Sequence, residues 1–406
     1  MLGLKIWIRM MLRGIFKMSW LAILWLAGID VKAVDMIDLG VLPGGTSSFA
    51  VGVSNDGLVV VGGSNNTRSF RWTASGGMQD ISNSNVGSNY ATGVSGDGMI
   101  ITGIGNFNNN SRSGSFRWDS ISGMVDLGTV YPGLGNSANA ISSDGHSIVG
   151  STATPSGYDH AMLWRETQGF QDLGKLSGSD SSRAMAISAD GSVVVGSSWL
   201  SYSSTRYEGF VWTASAGMQS IGVLPGMNNT NAYGVSADGT VIVGASNGYT
   251  TANAFRYTAA GGIQNLGVIN YGVGVPYSVA IAVSGDGKVV VGYSGTTGVD
   301  EAFVWQESTG QMRTLSDLLS ESGKASSWSN LTSVQGVSGD SQTGYNLVGY
   351  GTISGQQRAF LVTGLFAVPE PSTFYLGAIA ATLLCLVIFT RNRYANHSFY
   401  TDKIGM

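Results

Sequence analysis

The chain has 406 residues, of which 60 are glycine, 43% are apolar and 11% are charged. This apolar share excludes a disordered chain, and seven prolines without a three-residue glycine period exclude a collagen-like one. Residues 34–390 carry 13 basic and 23 acidic side chains, a net charge of −10 that argues against a nucleic-acid partner. The single cysteine, Cys385, lies in an apolar run near the C-terminus, so the main body has no disulfide and no cysteine-based metal or catalytic site.

Residues 1–33 are predicted to be a secretory signal peptide. Residues 1–17 carry four basic side chains and no acid, residues 18–28 are apolar, and a small residue, Ala33, stands at the expected cleavage position. We therefore expect cleavage after Ala33. The alternative is an uncleaved N-terminal anchor, which the short apolar run disfavours.

The sequence phrase Ser-x-Asp-Gly recurs seven times through the rest of the chain. The seventh copy is degenerate and ends in Ser341 instead of glycine. Successive aspartates lie 41 to 54 residues apart, a period typical of propeller blades. The aspartate and serine side chains favour a hairpin turn and the glycine supplies positive φ, which predicts a structural role for the phrase. The seven aspartates are Asp56, Asp97, Asp144, Asp190, Asp238, Asp286 and Asp340.

Each repeat is predicted to contain four short strands, which in the first copy are residues 49–53, 58–61, 69–73 and 78–81. The first strand carries Gly or Ala two positions before the turn serine, as expected where innermost strands crowd around an axis. The second strand is predicted to end at a glycine. The third strand carries aromatic pairs such as Phe70 and Trp72, whose alternation predicts packing between neighbouring sheets.

The phase of the repeats predicts a closed ring. The phrase of the fourth strand occurs once before the first inner strand, at residues 36–40, and is missing after the last third strand, at residues 359–363. A ring resolves this offset, because the N-terminal strand then completes the last blade and removes an exposed edge. We predict an all-β fold over residues 34–366, a seven-bladed β-propeller of four-stranded blades closed by the N-terminal strand. A β-solenoid is the alternative.

Two further patterns complete this region. Residues 315–323 have helical spacing and a terminal glycine, which predicts a short helix before the last blade. The third strands repeat a phrase seen as His-Ala-Met at residues 160–162, Asn-Ala-Phe at 253–255 and Glu-Ala-Phe at 301–303. Together with Ser-x-Asp-Gly and Val-Gly, these phrases resemble the extracellular HAF repeat family over nearly the whole region. The resemblance implies no activity, because the family is named for its repeat.

The C-terminal region has three parts in a fixed order. Residues 374–390 are uncharged and about 26 Å long as a helix, which predicts a transmembrane helix. Arg391 and Arg393 follow as a basic stop. A stiff segment precedes the helix and consists of Val368, Pro369, Glu370, Pro371 and Ser372.

Residues 367–393 thus resemble the PEP-CTERM sorting signal of bacterial exported proteins, and residues 394–406 form a short tail beyond the usual end of that signal. The resemblance implies a Gram-negative cell with an exopolysaccharide system, export by the secretion machinery, transient membrane anchoring and processing by an exosortase-type transpeptidase. The protein would then reach the cell surface or the extracellular matrix. A plain C-terminal membrane anchor is the alternative.

Catalytic chemistry has little support in the sequence. The histidines are His146, His160 and His397, too few for a histidine metal triad inside the propeller, so we expect no metal, no cofactor and no catalytic residue. Arg71, Arg117 and Arg256 occupy one slot in different blades, which argues against a shared anion site. Paired carboxylates from two loops remain compatible with the sequence.

The candidate ligand face is the one that carries the second-to-third loops and the blade-to-blade loops, because their lengths vary. The loops at residues 106–114, 151–160 and 197–208 contain aromatic residues that are candidates for stacking on sugar rings. These are Tyr158, Trp199, Tyr202 and Tyr207. The expected function is a non-catalytic module that binds exopolysaccharide or surface proteins, or builds the matrix. The alternatives are a glycan-cleaving hydrolase or lyase and a purely structural spacer.

Overall fold

Seven four-stranded antiparallel sheets make up the part of the chain that the computed structural model describes. The described residues are 34–366 apart from 66, 84–85, 108–111, 201–205, 249–250, 273, 297 and 325–326. Residues 34–366 belong to one compact unit. The predicted signal peptide with its cleavage residue Ala33, the sorting segment, the membrane helix, the basic stop and the tail lie outside the described residues. Among the described residues, no helix is both long and apolar enough to cross a membrane.

The first strand of the chain is β1 (Asp35–Asp38), and blade 1 follows it. Blade 1 contains β2 (Ser48–Val53), β3 (Val59–Ser64), β4 (Arg68–Thr73) and β5 (Gly77–Asp80). Blade 2 contains β6 (Asn89–Val94), β7 (Ile101–Phe107), β8 (Arg112–Asp119) and β9 (Gly123–Asp126). Blade 3 contains β10 (Asn136–Ile141), β11 (Ser147–Ala153), β12 (Asp159–Arg165) and β13 (Gly169–Gly174).

Blade 4 contains β14 (Ser181–Ile187), β15 (Val193–Trp199), β16 (Tyr207–Thr213) and β17 (Gly217–Ser220). Blade 5 contains β18 (Asn229–Val235), β19 (Ile242–Asn247), β20 (Ala252–Thr258) and β21 (Gly262–Gly267). Blade 6 contains β22 (Tyr277–Val283), β23 (Val289–Thr296), β24 (Val299–Gln306) and β25 (Gln311–Thr314). Helix α1 (Leu315–Glu321) then leads into blade 7, which contains β26 (Asn330–Asp340), β27 (Gly344–Ile353) and β28 (Gln356–Leu365).

The blades form a closed ring, as predicted from the phase of the repeats. The first strand of each blade lies innermost, and successive innermost strands contact each other around a central channel until β26 contacts β2. β1 pairs with β28, so that Asp35 lies opposite Thr363 and Asp38 lies opposite Phe360. The N-terminal strand is therefore the outermost strand of blade 7, and the two ends of the ring are joined by backbone hydrogen bonds.

The Ser-x-Asp-Gly phrases form the turns between the first and second strands. In blade 1, Ser54 Oγ donates to Asp56 Oδ1 (2.5 Å) and accepts from Val59 N (2.9 Å), while Gly57 has a φ of +75°. These bonds satisfy the turn locally, which confirms the hairpin chemistry predicted for this phrase. The turn aspartates therefore act as structural residues in the hairpins that they close.

Successive turns are also bonded to one another. The second residue of one turn donates its backbone N–H to the carbonyl oxygen of the equivalent residue in the next blade, at 2.8–3.1 Å, from blade 1 through blade 6. The space there is small, since a Cβ on Gly96 would lie 2.2 Å from Ser143 Oγ. The linked residues are Asn55, Gly96, Ser143, Ala189, Ala237 and Gly285.

Acid is expected to destabilise the fold through these turns. Hydrogen bonds from the turn serines hold the pKa of Asp97, Asp190 and Asp238 below the usual value of 3.8. Because the folded-state pKa is depressed, this stabilisation is fully present above about pH 4 and is lost as the pH falls through the folded values. We expect the melting temperature to fall as the pH drops from about 4 to about 2. A variant with all three aspartates changed to Asn should show a shallower fall, and an unchanged slope would contradict this origin.

The glycine of each second strand lies inside the strand, so the prediction that the strand ends there was wrong. β3 continues to Ser64, beyond Gly62. A bulge between Ala50 and Gly52 brings the carbonyl oxygen of Phe49 to 2.0 Å from the place of a Cβ on Gly62. The glycine thus marks a close approach of two backbones. The same contact occurs in the other blades at Gly103, Gly150, Gly196, Gly244, Gly292 and Gly349.

Aromatic side chains of the third strands fill the space between blades, as predicted. A fully buried side chain lies at one position of every third strand, and in blade 3 it is a methionine. These residues are Phe70, Phe116, Met162, Phe210, Phe255, Phe303 and Phe360. They pack against second-strand valines and isoleucines of the same and neighbouring blades, so the hydrophobic core is a series of layers between adjacent sheets.

Polar side chains at the start of the innermost strands bond each of blades 1 to 6 to the preceding blade. Ser182 Oγ accepts from Ala161 N of blade 3 at 2.7 Å and donates to Gly174 O. This pairing satisfies backbone groups that would otherwise be buried without a partner. Equivalent bonds to the preceding blade are made by Ser48, Asn89, Asn136, Thr230 and Ser278.

The predicted short helix is confirmed and lies between blades 6 and 7. Thr314 caps α1, because its Oγ1 accepts from Asp317 N at 3.0 Å. Leu315, Leu318 and Leu319 are buried in the hydrophobic cluster shared by blades 6 and 7. The helix therefore provides apolar packing at the one blade junction whose spacing departs most from the repeat.

Candidate functional site

The two faces of the propeller differ in the loops that they carry. The turns between the first and second strands and between the third and fourth strands lie on one face, which we call the turn face. The second-to-third loops and the blade-to-blade connections lie on the other, which we call the loop face. The loops predicted at residues 106–114, 151–160 and 197–208 are shorter than expected, because the flanking strands extend into them.

A cleft of about 200 Å3 opens on the loop face between blades 3 and 4. Its lining combines one aromatic side chain with charged and hydroxyl groups: Asp159, Ser181, Ser182, Arg183 and Trp199. Arg183 and Asp159 form an ion pair across the blade junction, with Nη2 and Oδ2 3.6 Å apart, and both side chains are about half exposed. The cleft therefore offers both donors and acceptors beside an indole ring.

The strands around the cleft hold Trp199 in place. Asp180 N donates to the carbonyl oxygen of Trp199 at 2.8 Å, and Ser198 Oγ donates to Ser181 O at 2.9 Å. Trp199 is paired with Tyr207 on the neighbouring strand, and their ring centroids are 6.3 Å apart at an angle of 47°. The indole is thus supported from behind by a second aromatic ring, which preorganises it for contact with a flat apolar surface.

Aromatic side chains continue from this cleft towards the channel. Tyr207 lies within hydrogen-bonding reach of Asn231, whose Oδ1 accepts from Ser197 Oγ at 2.6 Å. Tyr233, on the innermost strand of blade 5, comes next. Burial, with a smaller contribution from the nearby phenols of Tyr207 and Tyr293, raises its pKa to about 12. Tyr233 therefore interacts electrostatically with one tyrosine of blade 4 and one of blade 6.

The row ends at a group that we call the tyrosine–aspartate cluster, formed by Tyr277, Tyr293, Tyr350 and Asp300. Tyr277 Oη donates to Asp300 Oδ1, and this hydrogen bond is the main cause of the rise in the Tyr277 pKa to about 12. The rings of Tyr277 and Tyr293 meet edge to face with centroids 6.3 Å apart. Burial raises the pKa of Tyr293 and of Tyr350, and the charge of Asp300 adds to both shifts.

The sequence-predicted aromatic residues divide into two groups. Trp199 and Tyr207 lie at the cleft, and Tyr158 immediately precedes Asp159, with its carbonyl oxygen accepting from Thr154 Oγ1 at 2.7 Å. Tyr202 lies outside the described residues. The sorting-motif residues and the two arginines of the basic stop also lie outside them.

Sequence reasoning missed the side chains on the innermost and second strands. Tyr293 and Tyr350 directly follow the second-strand glycine, where other blades have smaller residues such as Gly63 and Ala245. On the innermost strands, one half-buried position differs in every blade, and in blades 1 to 6 it lies between two small residues. It holds Val51, Thr92, Asn139, Met185, Tyr233, Ile281 and Gln335. This departure from the repeat on the innermost strands is the sequence signal that marks these positions.

The three arginines considered as an anion site, and the pair formed by His160 and Asp172, are not among the residues that line the cleft. Arg117 pairs with Asp119 at 2.8 Å, Arg256 pairs with Glu307 at 3.0 Å, and Arg71 belongs to a third blade. His160 Nδ1 lies 3.0 Å from Asp172 Oδ2, and that carboxylate also accepts from Tyr131 Oη at 2.8 Å. Burial opposes ionisation of Asp172, but hydrogen bonds from Gly174 N, Tyr131 and His160 outweigh it and lower its pKa.

No group of three or more His, Cys, Asp or Glu side chains within the described ranges is arranged to hold a metal ion.

Comparison with solved structures places the chain among propellers. An oligogalacturonate lyase in complex with manganese is 11% identical over 82% of this chain and 94% of that chain, with a TM-score of 0.52. The oligogalacturonate lyase of Vibrio parahaemolyticus gives the same identity and coverage, with a TM-score of 0.50. TolB from Acinetobacter baumannii is 13% identical over 71% of this chain and 65% of that chain, with a TM-score of 0.43.

At these identities the likeness concerns the fold alone. No family model matches the chain, and no curated protein matches its sequence. The function must therefore be argued from the geometry of the loop face.

Proposed function

We propose that this protein is an exported, non-catalytic glycan-binding module of the cell surface or the exopolysaccharide matrix. The observation that carries the proposal is the cleft between blades 3 and 4, where the indole of Trp199 stands beside the Arg183–Asp159 pair. A sugar ring has an apolar C–H face and a rim of hydroxyls. Aromatic stacking suits the first, and charged hydrogen-bonding groups suit the second.

The proposal includes the route by which the protein reaches its ligand. A signal peptide cut after Ala33, a PEP-CTERM-like segment at residues 367–393 and HAF-like repeats support export and sorting by an exosortase-type transpeptidase. The acidic body supports a partner other than nucleic acid. Epitope tags placed before and after the propeller test the route, because processing separates the C-terminal tag from surface-exposed protein. Retention of both tags in the inner membrane would contradict sorting and favour a plain anchor.

Binding is tested by incubating the protein with exopolysaccharide from the producing strain and measuring both retention and new reducing ends. We expect retention without new reducing ends. Release of reducing ends would contradict the non-catalytic role and point to a glycan-cleaving enzyme. If the protein shows neither retention nor new reducing ends, a structural spacer or a protein partner is favoured.

Trp199→Ala is expected to weaken retention at least about tenfold, because a tryptophan at the centre of a binding site typically supplies much of the affinity. Binding isotherms on immobilised exopolysaccharide measure the change. Tyr90→Ala is the matched control, since Tyr90 is an exposed aromatic residue on blade 2, away from the cleft. Equal losses for the two variants at unchanged melting temperatures would rule out the cleft as the binding site.

A further inference from the structure

We infer that the tyrosine–aspartate cluster binds a protonated amino group carried by the glycan, so that the preferred ligand is a polysaccharide with free amines. The inference rests on the proposed function and specifies its ligand class. It concerns blades 6 and 7, whereas the cleft that carries the proposed function lies between blades 3 and 4.

The geometry of the cluster follows from one glycine. Gly295 pairs with Tyr277 on one side and with Asp300 on the other, across three neighbouring strands of blade 6. A Cβ on Gly295 would lie 2.2 Å from the carbonyl oxygen of Val299 and 2.7 Å from Asp300 Oδ1, so the glycine leaves room for both the neighbouring backbone and the carboxylate beside Tyr277. Asn330 Nδ2 of blade 7 donates to the backbone oxygen of Asp300 at 3.2 Å and fixes the start of the strand.

After these contacts, the Asp300 carboxylate can still accept a further hydrogen bond. Asp300 Oδ1 accepts from Tyr277 Oη, and no described residue donates a hydrogen bond to Oδ2. Within the described part of the chain, Asp300 also has no Lys or Arg ion-pair partner, whereas its neighbour Glu301 lies against Tyr271. A bound ammonium group would supply the cation that the described residues do not place beside this carboxylate.

The surrounding side chains favour an organic cation over a neutral hydroxyl. Tyrosine rings present a negative face that attracts ammonium groups, and a carboxylate adds a charge-assisted hydrogen bond. The described propeller carries 22 acidic and 13 basic side chains, so its field attracts cations as a whole. Tyr233 interacts electrostatically with both Tyr207 and Tyr293, which suits one extended chain that contacts both the cluster and the cleft.

The test uses the full chain in mild detergent and three probes: a glucosamine oligomer, the matching N-acetylglucosamine oligomer, and free glucosamine. At mildly acidic pH, where the amines are protonated and carboxylates are ionised, we expect the glucosamine oligomer to bind about tenfold more tightly than the N-acetylated one. The preference should shrink as the salt concentration rises. Equal affinity for the two oligomers would overturn the inference. Equal affinity for the glucosamine oligomer and for free glucosamine would also overturn the inference, because the site would then bind free amines rather than an amine carried by a glycan.

Asp300→Asn is expected to abolish the preference, lowering affinity for the glucosamine oligomer about tenfold and leaving the N-acetylated oligomer within about twofold. Glu301→Gln is the matched control and should keep the preference. If Asp300→Asn leaves the preference intact, the cluster does not bind the amine. If Trp199→Ala weakens the binding of both oligomers but the parent protein shows no preference for the glucosamine oligomer, only this inference fails and the proposed function stands. Failure of both oligomers and of exopolysaccharide to bind removes the proposed function as well.

Discussion

Deleting residues 34–42 is expected to prevent the protein from forming a stable closed ring. The segment contains β1 and two buried leucines, Leu39 and Leu42, that pack against blade 1 and β28. Losing a buried leucine costs about 2–5 kcal/mol, and a whole domain is stable by only about 5–15 kcal/mol. The deletion also exposes the edge of β28, which becomes free to pair with other chains. We expect the truncated protein to lack a cooperative melting transition. It should also aggregate, which size-exclusion chromatography detects.

A synthetic peptide of residues 34–42 distinguishes loss of closure from general misfolding. Added to the truncated protein, it should restore a cooperative transition by pairing with β28. A peptide with Leu39→Asp and Leu42→Asp should not restore it, because neither position tolerates a charge in the core. If the truncated protein melts within a few degrees of the parent, the ring does not depend on its N-terminal strand.

Gly150→Ala is expected to destabilise the protein by about 3 kcal/mol or more, although alanine suits a strand better than glycine. A Cβ on Gly150 would lie 1.8 Å from the carbonyl oxygen of Ser137 and 3.1 Å from Ala138 Cα. Both are backbone atoms of the innermost strand, so relief requires moving β10 away from β11 and towards the neighbouring blades. Urea unfolding followed by tryptophan fluorescence measures the change in the free energy of unfolding.

Gly285→Ala serves as the matched control. Its Cβ would meet only Ala237 Cβ, at 3.5 Å, and blades 4 and 5 already carry alanine at this turn position. Its stability should stay within about 0.5 kcal/mol of the parent. Comparable stabilities for the two variants would show that the bulge relaxes freely.

Repetition made the fold readable from the sequence. Seven turn phrases fixed the number of blades, and the unmatched fourth-strand phrase at residues 36–40 fixed where the ring closes. The third-strand aromatic residues were correctly placed in the core because alternation in a strand decides which side chains share a face. The second-strand glycines were misread as strand ends, since the bulge that requires them lies on the partner strand.

For the candidate site, loop composition led to Trp199 and Tyr207 but not to their surroundings. Arg183 and Asp159 belong to different blades, and only the packing of blade 3 against blade 4 brings them within 3.6 Å.

The tyrosine–aspartate cluster likewise joins residues of blades 6 and 7, of which only Tyr293 and Tyr350 share a position in the repeat. The sequence by itself determined the blade number, the closing strand and the structural turns, because each repeats with a fixed local chemistry. The tertiary structure alone decided which non-repeating side chains share a surface, because that depends on the radial order of strands and on the contact between neighbouring blades.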